Sequence, residues 1–208
     1  MKSDVIQIYS NMDGREEAMT TAENFALYNR LGKKDAMHMR LLTEELVSMV
    51  HGIMDQFKGN LWFESEKTSG GLLCRICLSA DKSADPRQEQ QLLSVSTSKK
   101  NESAKGILGK IREAFRVSAQ YAADGIFMDD YAVANSWYRL GTSVSNEYEA
   151  ERCWSLASYR SNLLDTVLET DEDWDELEKS IIAKLADDVK VWLKNHNTQV
   201  TIEKLIKQ

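Results

Sequence analysis

The segment from Leu72 to Ala80, Leu-Leu-Cys-Arg-Ile-Cys-Leu-Ser-Ala, is the strongest constraint in this sequence. It is apolar at nearly every position, too short to cross a membrane, and bounded by Gly70-Gly71 before it and Asp81 after it. A run of that kind reads as a strand that cannot sit at a sheet edge, because both its faces need cover. The rest of the chain must therefore supply neighbouring strands and a helical layer.

Both are legible. Leu61 to Ser65 pairs naturally with the central run as an antiparallel hairpin across Thr68-Ser69-Gly70-Gly71. Asp4 to Tyr9 reads as an opening strand. Asn11 or Asp13 is placed to cap a helix running to about Leu31, and Gly32 to close it. A second helix, roughly Lys33 to Phe57, carries Met39, Leu42, Leu46, Met49, Val50, Ile53 and Phe57 at spacings of three and four, which is a buried stripe, and Gly59-Asn60 reads as a turn. Residues 104 to 121 read as a helix, 122 to 147 as a packed aromatic-rich insertion, and about 147 to 168 and 174 to 184 as two further helices. Val189 to Leu193 and Gln199 to Ile206, flanking Asn195-His196-Asn197, form a closing hairpin. The order predicts a single α+β domain over 1 to 208: a two-layer sandwich of mixed, mostly antiparallel sheet with helices on one face. A helical insertion, 122 to 185, precedes the last hairpin. No internal repeat is visible in the sequence.

Charge and composition narrow the function. With 26 basic and 33 acidic residues the net charge is −7, which argues against general affinity for nucleic acid or an anionic membrane. No long apolar run and no charged-then-apolar leader stands out, so a cytoplasmic protein is expected. Cys74 and Cys77 lie three apart on the central strand and so on opposite faces, which disfavours shared metal ligation or a redox turn; Cys153 makes the count odd. His38, His51 and His196 form no local metal motif, and the adjacent acids Asp129-Asp130 and Asp187-Asp188 read as surface or capping residues.

The charge is unevenly spread. From Lys99 to Arg116, six bases face two acids, a net +4, whereas residues 165 to 178 hold eight acids and no base. The basic stretch leads into the 104 to 121 helix, and a cationic loop ending at a helix N-terminus suits an anion; equally, the two blocks can serve each other. The acidic stretch around Trp174 to Lys179 reads as a solvated helix, or as a docking surface for a basic partner.

One position on the second helix is out of character: Glu45 lies beside Leu42, Leu46 and Met49, where a carboxylate is expensive to bury unless paired with a cation or used. Here the stretch Arg40 to Gly52, Arg-Leu-Leu-Thr-Glu-Glu-Leu-Val-Ser-Met-Val-His-Gly, resembles the N-box helix of the ATPase superfamily of gyrases, heat-shock chaperones, histidine kinases and mismatch-repair proteins. It looks most like the compact anti-sigma-factor serine kinases. The resemblance covers, coarsely, residues 4 to 120 and the closing hairpin.

The resemblance implies a catalytic role for Glu45, which matches the family's glutamate, and a magnesium-holding role for the residue one turn on, which here is Met49. It implies that Asp81 matches the aspartate that reads adenine, although Ser83 and Asp85 replace the glycines that follow it in the family. It implies a lid over 81 to 103. Phosphates would then be cradled by Lys100, Lys105 and Lys110 with the amides of Gly106 and Gly109. A thioether is no magnesium ligand. The resulting expectation is a degenerate ATPase- or kinase-like regulatory protein of bacterial type that acts by binding a protein partner, with weak or absent binding of ATP or ADP and an impaired magnesium site. Two alternatives stand beside it: an active ATP-dependent serine kinase with Glu45 as base, and a scaffold that uses no nucleotide. A homodimer is compatible with each.

Overall fold

The computed structural model describes residues 1–53, 57–82, 153–165, 181–194 and 197–207. Strand β1 (Ile6–Tyr9) leads into helices α1 (Arg15–Tyr28) and α2 (Lys33–Ile53), followed by strands β2 (Phe57–Thr68) and β3 (Gly71–Lys82). After the undescribed stretch come β4 (Cys153–Ser155), α3 (Leu156–Asp165), α4 (Ile181–Leu185), β5 (Asp188–Lys194) and β6 (Asn197–Ile206). The six strands form one sheet in the order β1-β2-β3-β6-β5-β4, and every neighbouring pair is antiparallel.

β3 is central, as its composition requires. Its alternate residues Leu72, Cys74, Ile76, Leu78 and Ala80 enter a core shared with Ile8, Leu61, Phe63, Val189, Val191, Val200 and Ile202 from the other strands. The same core takes Ala22 and Phe25 from α1, Leu42, Leu46 and Met49 from α2, Tyr159 from α3 and Ile182 from α4, so all four described helices cover one face of the sheet. The α+β sandwich expected from the sequence is the architecture observed.

The two hairpins are related in a way the sequence does not show. Thr68 and Gly71 close the first, Lys194 and Asn197 close the second, and Ile76 and Ile202, each five residues beyond its closing position, are partners. The β3–β6 pair thus carries an approximate two-fold axis between Ile76 and Ile202. Around it β1-α1-α2-β2-β3 is echoed by β4-α3-α4-β5-β6.

Several local expectations are corrected. Gly59 and Asn60 do not turn the chain; they lie in β2, paired with Ala80 and Ser79. α2 ends at Ile53, and Phe57 opens β2 with its side chain in the core. Asn11 and Asp13 do not cap α1. They bond each other, with the Asn11 amide donating to Asp13 Oδ2 at 2.8 Å, and Gly14 is the N-cap at φ 86°, with no side-chain cap. A Cβ there would lie 2.0 Å from the Gln7 carbonyl oxygen, so only glycine fits.

Nor does Gly32 end α1. Arg30 takes the left-handed position at φ 56°, with its amide donating to Leu27 O at 3.0 Å and that of Leu31 to Ala26 O at 2.9 Å, while Gly32 O accepts from Ala36 N in the first turn of α2. Residues 153 to 155, read as helical, form β4 instead, so the stretch read as a helical insertion also contributes an edge strand to the sheet. Its Trp154 is fully buried, with its ring 6.2 Å from that of Tyr159.

The acid pair Asp187-Asp188 has a structural use. Asp188 Oδ1 accepts from Ala157 N at 2.9 Å, from Ser155 Oγ at 3.0 Å and from Val189 N at 2.8 Å. Ser155 Oγ in turn accepts from Ser158 N at 3.2 Å. The first turn of α3 is thereby capped jointly by a residue just before it and one at the head of β5. Asp187 Oδ2 accepts from Leu205 N at 2.6 Å, tying the approach to β5 onto β6.

Candidate functional site

α2 lies across the central strands. Near its start His38 sits 3.9 Å from Asp35 Oδ1 and in the field of Lys204 of β6, and the same Asp35 and Lys204 act on the thiol of Cys74 in β3. Further along the helix Met49 enters the same core as Ala80 of β3, which partners Thr198 of β6. The residues singled out from the sequence that the structure describes lie on the C-terminal half of α2 and at the end of β3.

Glu45 is half-buried on the flank of α2. It shares that flank with His38, since seven residues on a helix return to within about 20°. Among the described residues it makes no hydrogen bond or ion pair. Its neighbour Glu44 does: Arg15 Nη2 donates to Glu44 Oε1 at 2.6 Å, joining α1 to α2. The cation that could have explained an acid on this helix serves Glu44.

Met49, one turn on from Glu45, is 3% exposed and belongs to the same core as Leu46 and Val50. Its thioether is packed, and an octahedral magnesium ion, which takes oxygen ligands, does not fit the pair Glu45 and Met49. Among the described residues no cluster of three His, Cys, Asp or Glu is arranged to hold a metal.

Asp81 stands next to last in β3, partnered in register with Lys58 of β2. Its place falls in the alternating set of Cys77 and Ser79, out of phase with the core-facing Leu78 and Ala80. The polar residue that is in phase with the core there is one the sequence reading missed, Thr198. It is 1% exposed, and its Oγ1 has no hydrogen-bond partner. A buried hydroxyl without a partner is uncommon and costly. Alternation with the core residues Val200 and Ile202 places Thr198 on the inward face, but nothing in the sequence marks its hydroxyl as unpartnered. Nearby, His51 Nε2 meets the Ser10 carbonyl, closing the end of α2 onto β1.

Lys100, Lys105, Gly106, Gly109 and Lys110 lie outside the described residues, as do the 104 to 121 helix and the acidic block from 166 to 178; of the lid expected over 81 to 103, Asp81 and Lys82 instead end β3, and 83 to 103 lie outside the described residues. Cys74 and Cys77 fall on opposite faces of β3. Cys74 is in the helix-covered core, while Cys77 accepts from the Thr201 hydroxyl at 3.8 Å. Burial pushes both thiols up to about 11, and for Cys77 the Thr201 bond only partly offsets it, so neither is a ready nucleophile.

No protein-family model matches this chain, and neither a curated protein nor a solved structure matches it. Among the described residues no helix is long and apolar enough to cross a membrane.

Proposed function

We propose that this protein is a regulatory protein that acts by binding another protein, on a frame like that of the anti-sigma-type serine kinases, with nucleotide binding weak or lost. The carrying observation is the burial of Met49. The position one turn after Glu45, where phosphoryl transfer would need a metal ligand, is part of the apolar core. Transfer chemistry depends on metal and phosphates held in place, and an acid alone does not supply that. The helix and strand order of β1-α1-α2-β2-β3 and the closing β5–β6 hairpin are compatible with the frame.

A second reading, residual binding of a nucleotide without turnover, draws support from the orphan hydroxyl of Thr198, a polar group already desolvated at the end of the central strands. The two readings share a test against the active-kinase alternative. ATP hydrolysis and transfer of labelled phosphate to host proteins are measured for the wild type and for Glu45→Gln. The expected outcome is background turnover in both. Turnover in the wild type that disappears in Glu45→Gln would establish the kinase and overturn the proposal.

A further inference from the structure

We propose that the tip of the α1–α2 hairpin is a docking surface for an acidic, amphipathic segment of a partner protein, gripped by Arg30, Lys33 and Lys34 around exposed Leu27, Tyr28 and Met37. The inference rests only on the protein-binding half of the proposed function, and binding of ATP has no bearing on it.

The apolar part is conspicuous by its exposure. Leu27 is 77%, Tyr28 73% and Met37 55% exposed, on the last turn of α1 and the second turn of α2, with a short connection between them. One exposed apolar side chain needs no account, but three at one end of a helical hairpin are apolar area available to a partner.

Charge selects the occupant. Arg30, Lys33 and Lys34 are exposed and, among the described residues, form no ion pair, in contrast to Arg15, Arg40 and Arg75, which are each matched to a glutamate. The one acid within this tip, Asp35, is turned toward His38. The tip thus carries three exposed cations alongside three exposed apolar side chains, in a chain of net charge −7. An acidic segment with apolar residues on one face complements it in both respects. An anionic bilayer fits less well, because the whole-chain charge opposes approach.

The C-terminal turn of α1 needs a left-handed residue, and glycine adopts that conformation without penalty, yet Arg30 occupies it at φ 56°. Its side chain makes no hydrogen bond among the described residues, and its exposed guanidinium is open to a ligand.

The experiment uses the full chain and a fluorescein-labelled helical peptide of about 16 residues with glutamates on one face and leucines on the other. Its glutamate-to-lysine counterpart is the control, and equimolar phosphatidylcholine–phosphatidylserine vesicles are the third probe. Anisotropy is expected to report binding of the acidic peptide and none of the basic one. The Lys33→Glu/Lys34→Glu and Leu27→Ser/Tyr28→Ser pairs are each expected to weaken binding at least tenfold with circular dichroism unchanged. Arg30→Gly separates docking from folding: it is expected to keep or raise the thermal midpoint while weakening binding several-fold. Equal affinity across these variants, binding of the basic peptide, no binding of the acidic one, or binding to the vesicles alone would each overturn the proposal.

Discussion

Replacing Met49 with asparagine installs the residue type that the resembling ATPases carry one turn after their glutamate, and the structure sets what this costs. Met49 is 3% exposed inside a core built by Leu42, Leu46 and Val50 from its own helix and by the sheet beneath. Removing the buried thioether side chain forfeits roughly 1.5–3 kcal/mol of burial. An amide left there without partners adds a penalty of roughly 1–3 kcal/mol. Met49→Asn should therefore destabilise the fold by about 4 kcal/mol, a large part of the ~5–15 kcal/mol available to a domain. Met49→Leu, which conserves volume, should cost under about 1.5 kcal/mol. Urea unfolding followed by tryptophan fluorescence measures both, with the midpoint shifting at constant slope. If Met49→Asn lowers stability by less than about 1 kcal/mol and the variant binds magnesium-ATP, the side chain faces a cleft and the reasoning fails.

Other outcomes follow from the same contacts. Asp188→Ala removes a shared cap of α3 and the bond to Val189 N, and should cost about 2 kcal/mol, with Asp188→Asn nearer 1; equal stability in all three proteins by urea midpoint would contradict the joint cap. Stability should fall in two stages as pH drops. Burial, reinforced by Lys204 and Lys34 against Asp35, holds the His38 pKa below its ordinary 6.5, so the unfolded chain takes the proton first and stability declines below about pH 6.5. Burial raises the Glu64 pKa, but hydrogen bonds from Trp62 and Lys2 outweigh it and leave the carboxyl below its ordinary 4.5; the stability it confers above that value is lost as pH falls through the folded-state pKa. His38→Gln should flatten the upper stage alone, measured as the thermal midpoint against pH. In a Cys153→Ser variant, Cys74 and Cys77 should resist a thiol reagent at pH 8 until urea unfolds the chain, and rapid native labelling would mean that the core is open.

The parts of this fold that were legible in the sequence are those whose energetics are repeated along the chain. The apolar run of β3, the stripe of α2 and the alternation of the last hairpin each restate one burial pattern over many residues. What failed to show was decided by single positions or by distant partners. β4 is three residues long, too short for any period, and exists because Cys153, Trp154 and Ser155 pair with Trp192, Val191 and Lys190 of β5. Gly59-Asn60 is a turn signal overridden by its pairing with β3. The end of α1 was assigned to Gly32, the better left-handed residue, whereas the chain uses Arg30.

The candidate site was partly legible for the same reason. Glu45 was visible because it interrupts a stripe. Thr198 was not, because a threonine in a strand is ordinary until its neighbours are seen to leave its hydroxyl buried and unpartnered. Asp81, chosen by resemblance, stands in the right strand end but one step out of phase with the core-facing residues.

The most direct measurement of the central claim is a calorimetric titration of the wild-type protein with ATP, in the presence and absence of magnesium, repeated on Asp81→Asn and Thr198→Val. The account predicts weak or undetectable heat, the same with and without magnesium and unchanged in Asp81→Asn; any residual binding should respond to Thr198→Val. Tight binding that requires magnesium and is abolished in Asp81→Asn would contradict it.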